Sequence, residues 1–316
     1  MAGRARKVRD DAGREATATS FSGHESFTLR YGWLKKCVDA VAARPDALSR
    51  DDAMVALGVG KNMVKAIRHW GLTARVVAPA DDPAAARRGA LRVTPIGAAL
   101  FGDEGADPYL EDPRTPWLLH WLIATNPERA TTWRWAFGEL DRRAFTRDEL
   151  LRDLLASGRV GRATENTLGR DVDVFVRSYA AGRSERGVAL EDTLDGPLLE
   201  LRLLREDPVE RRYEFVRGAK PTLDELAFGY AVLGHWARVA PDRDTLSLEG
   251  LARDPSAPGR VFQLDDASLH ARLEACSTWS RGALLYDETA GLRQLLRKRR
   301  VDPTRWLLDG LKRGRA

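Results

Sequence analysis

Cysteine, lysine and long apolar runs are scarce in this chain of 316 residues. Its two cysteines, Cys37 and Cys276, are far apart and surrounded by apolar helical patterns, which is typical of reduced, buried packing residues. They cannot form a zinc site by themselves. The longest apolar stretches, such as residues 117–124, are too short to span a bilayer, and the first twenty residues contain no secretory signal. We therefore expect a cytoplasmic protein with no membrane partner.

Two common enzymatic motifs are also missing. No lysine has Asp or Glu two positions before it, which excludes the acid-x-Lys element of many restriction nucleases. Residues 58–61 (Gly-Val-Gly-Lys) lack the spacing and the following Ser or Thr of a phosphate-binding Walker loop. The five histidines are scattered and form no close pair. ATP hydrolysis is therefore not expected, and only weaker candidates for nuclease chemistry remain.

Arginine, in contrast, is abundant. The chain has 51 basic and 46 acidic residues, a net charge of +5, and 43 of the basic residues are arginine. The arginine fork matches phosphate and guanine geometry, although a GC-rich genome also favours arginine. Basic residues crowd both ends of the chain, around positions 4–14 and 293–305. Such ends are compatible with a polyanionic partner but do not establish one.

The pattern of a helix-turn-helix follows the first amphipathic helix. A short helix capped by Ser49 runs to Leu57, residues 58–60 form a glycine-containing turn, and a second helix covers residues 61–70. Apolar residues of the second helix face inward, which leaves polar side chains on its outer side. An ordinary solvated helix face is the alternative interpretation of that polar side.

Two predicted strands come next, at residues 74–78 and 90–94. The polar loop between them ends in Arg87-Arg88-Gly89, as in a β-hairpin wing, and Thr94-Pro95 begins a further helix. Helices followed by strand, wing and strand predict a winged helix-turn-helix that grips duplex DNA. Winged helices also serve as pure protein-interaction modules, so the pattern alone does not prove DNA contact.

The residues predicted to contact DNA are polar or basic side chains of this region. They are Lys61, Asn62, Lys65, Arg68, His69, Arg87, Arg88, Arg30 and Lys35. Lysine and arginine side chains can reach phosphates, while Asn62 or Arg68 can read base edges in the major groove.

The fold class is predicted to be mainly α, in three regions. Residues 1–19 have no hydrophobic periodicity and are predicted to be a disordered basic arm. Residues 20–103 form the winged helix-turn-helix domain. Residues 104–316 form a larger helical domain with a few short strands, which divides near residues 191–221 if it consists of two subdomains. Within it, residues 291–299 are predicted to form a basic helix.

Two sets of residues are candidates for nuclease chemistry. His24 and Glu25, in the loop ahead of the first helix, place a base beside a metal-binding carboxylate. Asp171 and Asp173 point to different faces of a predicted helix, and Asp173 can simply pair with Arg177. Structural roles explain both sets as well. We predict His24 and Glu25 to be catalytic, and Glu25, with Asp171 and Asp173 in reserve, to bind Mg²⁺ or Mn²⁺.

Several long segments resemble a known bacterial family. They lie at residues 21–27 (Phe-Ser-Gly-His-Glu-Ser-Phe), 29–36, 57–64, 108–113, 117–121, 170–173, 191–198, 258–262 and 290–293. Together they cover about residues 20–300. They resemble the SspB-like family of single-stranded DNA phosphorothioation (Ssp) defence and modification systems, formerly a domain of unknown function. Thr28 departs from the proline expected there, which should affect only the entry of the loop.

The resemblance implies a protein that binds double-stranded DNA and nicks one strand, so that sulfur-inserting partners can reach the backbone. The implied protein partners are a cysteine desulfurase, an ATPase and a sulfur-transfer enzyme. Two other functions remain open, a non-catalytic DNA-recognition subunit and a winged-helix transcriptional repressor. The missing nuclease motifs favour the recognition subunit, whereas the large helical second domain argues against a plain repressor.

Overall fold

The computed structural model describes residues 19–180, 196–289 and 291–314. Across these residues the chain is mainly helical, as predicted, with small antiparallel sheets. Almost all of the predicted basic arm lies outside the described residues, as does part of the predicted division near residues 191–221. None of the described helices is long and apolar enough to cross a membrane.

The N-terminal part consists of short helices around one two-stranded hairpin. Its elements are α1 (Trp33–Ala43), a 3-10 turn (Ala47–Ser49), α2 (Ala53–Leu57), α3 (Lys61–Thr73), β1 (Val77–Pro79), α4 (Pro83–Arg87), β2 (Leu91–Val93) and α5 (Pro95–Phe101). Gly58 ends α2 with a φ of 64°, a conformation that favours glycine.

Three details of this part differ from the sequence prediction. The residue at the N-cap of α2 is Asp52 rather than Ser49, and α3 continues to Thr73, past the predicted end. The loop between the strands contains α4, because Pro83 occupies its first turn and Asp82 accepts hydrogen bonds from the first amides. The order of helices and strands agrees with the prediction, and the winged-helix assignment itself stays a prediction.

The middle part contains helices and a three-stranded sheet in the order β3-β5-β4. Its elements are α6 (Thr115–Ala124), α7 (Thr131–Gly138), β3 (Ala144–Thr146), α8 (Arg147–Ala156), α9 (Glu165–Tyr179), a 3-10 turn (Leu199–Leu201), β4 (Leu204–Asp207) and β5 (Arg212–Phe215). Thr146 and Glu149 form a capping box that fixes the start of α8 directly after β3.

The C-terminal part contains a second three-stranded sheet, in the order β6-β8-β7. Its elements are α10 (Glu225–Val239), β6 (Thr245–Ser247), α11 (Leu248–Arg253), α12 (Pro258–Val261), α13 (Asp266–Glu274), α14 (Cys276–Trp279), β7 (Leu284–Thr289), β8 (Leu292–Arg297) and α15 (Pro303–Arg313). The predicted basic helix over residues 291–299 is therefore wrong. That segment is the central strand, in which Leu295 pairs with Leu246 on one side and Tyr286 on the other.

Buried side chains on both sides of residue 103 form one hydrophobic cluster. Trp70 of α3 packs edge-on against Trp133 of α7, with ring centroids 5.5 Å apart, and Trp133 packs in the same way against Phe175 of α9. All three rings are almost fully buried, and aromatic pairs of this geometry stabilise a core beyond simple burial. The aromatic contacts hold α3 against the helices that follow it, while the predicted division into domains stays a prediction.

Candidate nucleic-acid interface and the loop behind it

The loop over residues 21–27 has an unusual backbone. Ser22, Glu25 and Ser26 have φ values of 57°, 49° and 68°, a region that residues other than glycine rarely adopt. Gly23 lies so close to His69 that a Cβ at that position would be 2.4 Å from the imidazole Nδ1. A conformation of this kind persists only when the surrounding contacts hold it in place.

His24 supplies those contacts from the inner side of the loop. Its Nε2 lies 2.7 Å from Asp171 Oδ1, and both residues are buried. The same carboxylate accepts hydrogen bonds from the Ser22 amide and the Thr132 hydroxyl. The His24 Nδ1 accepts from the Ser26 amide at 3.2 Å, so the proton of a neutral ring belongs on Nε2, which donates to Asp171.

The structure thus joins two candidates that the sequence analysis kept apart, but it corrects the roles expected of them. The His24 ring is enclosed by His69, Trp70 and Trp133, with ring centroids 5.6 to 6.3 Å away. The carboxylate of Asp171 is already occupied by three donors. In this geometry His24 cannot reach a substrate as a base, and Asp171 cannot reach an ion as a ligand.

Asp173 does not complete a metal site either. Its carboxylate accepts from Arg147 Nε at 2.7 Å, while the predicted partner Arg177 donates to the backbone carbonyls of Asp173 and Ser26. The Asp173 side chain is 44% exposed, whereas Asp171 is buried, so the two carboxylates do not share a site. Within the described ranges, no group of three or more His, Cys, Asp or Glu side chains could hold a metal ion. The predicted ligands therefore do not fit a magnesium site as a set.

Glu25 is the accessible member of the predicted catalytic pair. Its side chain is 33% exposed and accepts a hydrogen bond from Lys65 Nζ at 3.0 Å. The strained loop thus places one carboxylate at the surface, against the side of α3 that the sequence predicts to contact DNA.

The outer side of α3 is only partly as predicted. Lys61, Asn62 and Lys65 are exposed. Arg68 is half-buried and donates to the Gly89 carbonyl at 2.8 Å and to Ser49 Oγ at 3.3 Å. Burial, followed by the charge of nearby Arg129, lowers the pKa of Arg68. Arg68 therefore ties α3 to the end of the hairpin loop.

His69 contradicts the prediction that it lies on the outer side. Its residue is 8% exposed, its Nε2 is 3.3 Å from the Thr73 hydroxyl, and its ring packs edge-on against Trp70. Burial lowers the pKa of His69 to about 3, and the neighbouring His24 adds to that effect. The reason is that α3 packs against α1 and is also covered by the loop over residues 21–27.

The remaining predicted contacts fall into two groups. Arg87 and Arg88 are exposed at the end of the hairpin loop. Arg30 lies 5.6 Å from the ring centroids of both Phe27 and Trp33. Lys35 is bound by Asp39 and Asp103, and the hydrogen bond to Asp39 raises its pKa. We use the name candidate DNA face for the exposed side chains of Lys61, Asn62, Lys65, Arg87 and Arg88.

Sequence reasoning missed two contributors to this geometry. Thr132 donates to Asp171 from 39 positions away, and Ser49 joins Arg68 at the Gly89 carbonyl. Thr132 gives no signal in the sequence, because its partner belongs to a different helix. Ser49 was predicted to cap a helix. In the structure its hydroxyl instead donates to the Gly89 carbonyl and accepts from Arg68.

The chain is similar to one described family and to solved structures. Residues 21–310 match the family described as "Protein of unknown function (DUF4007)". The fold is similar to an SspB crystal structure, with 32% identity and a TM-score of 0.82, over 95% of this chain and 89% of that chain. A magnesium ion-bound SspB crystal structure gives 33% identity, a TM-score of 0.83 and the same coverage. No curated protein matches. These similarities confirm the resemblance to the SspB-like family.

Proposed function

Because this chain belongs to the DUF4007 family and is similar to SspB over almost its whole length, we propose that it binds duplex DNA in a DNA phosphorothioation system. The similarity to SspB supports a role in phosphorothioation, and the exposed side chains of the candidate DNA face support the way in which DNA is bound. In that role its partners are a cysteine desulfurase, an ATPase and a sulfur-transfer enzyme.

The observation that carries the DNA-binding proposal is the connection between α3 and the hairpin loop. Arg68 on α3 donates to the carbonyl of Gly89, directly after Arg88. One turn earlier on the same helix, Lys65 is exposed. The connection therefore holds Arg87 and Arg88 at a fixed position relative to the exposed lysines of α3. A surface that contacts several phosphates along a duplex needs such fixed spacing between its cations.

The dimensions of the helix agree with this mode of binding. The 13 residues of α3 span about 20 Å at ~1.5 Å per residue. The major groove of B-DNA is about 12 Å wide and admits a single α-helix. We infer that the N-terminal half of α3, with Asn62 between two lysines, enters the groove. Arg87 and Arg88 then contact backbone or minor groove beside it.

Strand nicking is the second candidate function. It is favoured by the family resemblance and by the magnesium ion-bound state of a similar SspB structure. The predicted Mg²⁺ or Mn²⁺ ligands do not come together in this chain, so we assign no cleavage step through a metal ion. Glu25 is an accessible carboxylate beside Lys65 of the candidate DNA face, and it remains our candidate for this activity.

Two measurements test these proposals separately. Fluorescence anisotropy with a labelled duplex should show binding that weakens as salt increases, and an absence of binding at low salt would contradict the proposed function. Supercoiled plasmid incubated with and without Mg²⁺ or Mn²⁺ should yield open-circle product with metal if the protein nicks. DNA binding without open-circle product would exclude nicking and favour a role as a non-catalytic DNA-recognition subunit.

A further inference from the structure

A cleft lies between the start of α10 and the helix α13. Its volume is about 340 Å³, and small-molecule sites in proteins usually measure about 300–1,000 Å³. Lys220 and Pro221 line it ahead of α10, Phe228 lines it from α10, Arg272 from α13 and Trp279 from the end of α14. We call this space the α10–α13 cleft.

One wall of the cleft is aromatic. Phe228 and Trp279 are buried and pack edge-on, with ring centroids 6.0 Å apart. The Arg272 guanidinium lies 5.4 Å from the Phe228 ring centroid, and the Trp279 indole N–H donates to the Arg272 carbonyl at 3.0 Å. These contacts hold one cation and two rings in a fixed arrangement. The wall therefore suits a ligand that combines negative charge with a flat apolar group.

Lys220 and Arg272 bring two positive charges to the cleft. Lys220 is 6% exposed, and its ammonium donates to the Val216 carbonyl at 2.7 Å. Arg272 donates through Nη2 to the carbonyls of Lys220 and Leu223, at 2.8 Å each, and so ties the loop ahead of α10 to α13. Within the described part of the chain, neither cation forms an ion pair, and their other N–H donors have no partner. A buried charge is normally paired, so this arrangement calls for an anion.

The carboxylates near the cleft have other positions or partners. Asp224 and Asp265 are helix caps, which accept hydrogen bonds from the Ala227 and Ser268 amides. Glu225 lines the cleft, but it is exposed and forms no ion pair with a described residue. An anion would therefore bind at the buried end of the cleft, next to Lys220, rather than beside Glu225.

From this arrangement we propose that the α10–α13 cleft binds a single nucleotide, with its phosphate at Lys220 and Arg272 and its base against Phe228 and Trp279. Lysine and arginine form charge-assisted hydrogen bonds to phosphate, and bases of any sequence pack on aromatic side chains. The nucleotide is either a free mononucleotide or an unpaired unit of a DNA strand, since both present the same chemistry. The choice of a nucleotide among flat anions rests on the proposed function, whereas the location of the site does not.

Isothermal titration calorimetry of the full chain with deoxyadenosine monophosphate tests the site. Lys220→Met removes the buried ammonium but keeps an apolar side chain, and Lys298→Met is a control that removes an exposed lysine outside the cleft. We expect at least tenfold weaker binding for Lys220→Met and less than a twofold change for Lys298→Met. Equal affinities of the two variants, or an absence of binding by the wild type, would overturn the proposal.

A second variant keeps the test valid if Lys220→Met does not fold. Ala271 is an exposed residue of α13 that lines the cleft, so Ala271→Leu adds bulk there without removing a hydrogen bond. It should weaken the binding of deoxyadenosine monophosphate at least tenfold, whereas Ala98→Leu, at an exposed position of α5, should change it less than twofold. Equal binding by these two variants would place the nucleotide outside the cleft and contradict the proposal.

Other ligands test the class and the source of the nucleotide. Inorganic phosphate and deoxyadenosine should each bind at least tenfold more weakly than deoxyadenosine monophosphate, because each makes only part of the contacts. Phosphate that binds as tightly as the nucleotide would contradict the placement of a base on the aromatic wall. A single-stranded deoxyadenosine tetranucleotide that competes for the cleft would support a unit of a strand as the occupant, and failure to compete would support the free mononucleotide.

The same measurements separate this site from the proposed function. Normal duplex binding without binding of deoxyadenosine monophosphate would remove the cleft site and leave the candidate DNA face in place. Binding of the mononucleotide that depends on Lys220, without any binding of duplex DNA, would keep the cleft site and contradict the proposed function.

Discussion

Asp171 accepts a hydrogen bond from His24 Nε2 at 2.7 Å, although 147 positions separate the two residues in the chain. The contact joins the loop ahead of α1 to α9, and the Ser22 amide and the Thr132 hydroxyl share the same carboxylate. One buried acid thus holds a loop with three positive φ values, and that loop places Glu25 against Lys65.

Replacement of Asp171 by alanine should therefore destabilise the protein strongly. The change leaves the donors of Ser22, His24 and Thr132 without an acceptor, and each buried donor left unsatisfied costs about 1–3 kcal/mol. Asp173→Ala is a matched control on the same helix, because its partly exposed pair with Arg147 contributes about 1 kcal/mol or less. Urea unfolding followed by circular dichroism measures both. Equal losses for the two variants would contradict the structural role of Asp171.

The buried histidines predict a pH dependence of stability. Burial is the main cause that lowers the pKa of His69 to about 3, and of His120 and His235 to about 4, from the ordinary 6.5. Below pH 6.5 the unfolded chain binds protons at these residues, while the folded chain stays neutral there. The free energy of unfolding should therefore be largest above pH 6.5 and fall as pH decreases towards 4.

The expected slope within that window is about 1.4 kcal/mol per pH unit for each histidine. His120→Gln should remove about a third of the slope contributed by these three residues, because His120 is one of them. Urea unfolding at several pH values between 6.5 and 4.5 measures the slope in wild type and variant. An unchanged slope after the substitution would contradict the assignment of a neutral, buried His120.

Arg68 should influence DNA binding indirectly. Arg68→Gln removes the hydrogen bonds to Gly89 and Ser49, so the hairpin loop should lose its fixed position relative to α3. We expect a loss of about 0.5–1.5 kcal/mol in unfolding free energy, because the Gly89 carbonyl loses Arg68 but keeps the Ser49 hydroxyl as a donor. The DNA affinity of the folded variant should fall without the change in salt slope that marks the removal of a phosphate interaction. A reduced slope would restore Arg68 as a direct DNA contact.

The sequence predicted the order of α2, α3, β1 and β2 around the candidate DNA face but not the helix α4 in the hairpin loop, because turns and short amphipathic helices leave local signals. Gly58 ends α2 and Thr94 caps α5 as expected. The sequence predicted less well which side chains of α3 face the solvent, since His69 is buried and Arg68 is half-buried. A helical wheel assumes one buried side, whereas α3 is covered on two sides, and this is why His69 is inside.

Long-range geometry could not be predicted from one sequence. No local pattern links His24 to Asp171, so two separate candidate sites were expected where the structure has one buried network. The segment containing β8 was misjudged for a different reason. Its basic residues and leucines fit a helix by composition, but Gly291 with a φ of 79° allows a tight turn that pairs the segment with β7.

Glu25→Gln separates nicking from binding. The substitution removes the carboxylate but keeps its shape, and it frees Lys65 from its ion pair. We expect DNA affinity to stay within about threefold of wild type or to rise slightly, because an exposed pair contributes little and Lys65 becomes available to phosphates. If this loop carries the nicking activity, open-circle product from supercoiled plasmid should disappear. Normal nicking by Glu25→Gln would make the loop purely structural and direct the search to other carboxylates.

We expect the exposed cations of α3 and the hairpin loop to contact duplex DNA. A variant with Lys61, Lys65, Arg87 and Arg88 all changed to alanine tests it most directly in an electrophoretic mobility shift assay over a range of salt concentrations. Arg143→Ala with Arg152→Ala, Arg205→Ala and Arg253→Ala is a control that removes the same number of exposed charges elsewhere. We expect at least tenfold weaker binding for the first variant and a salt slope reduced by up to about 3.6, at ~0.9 for each phosphate interaction removed. Affinity and slope equal to those of the control, with both proteins folded, would contradict it.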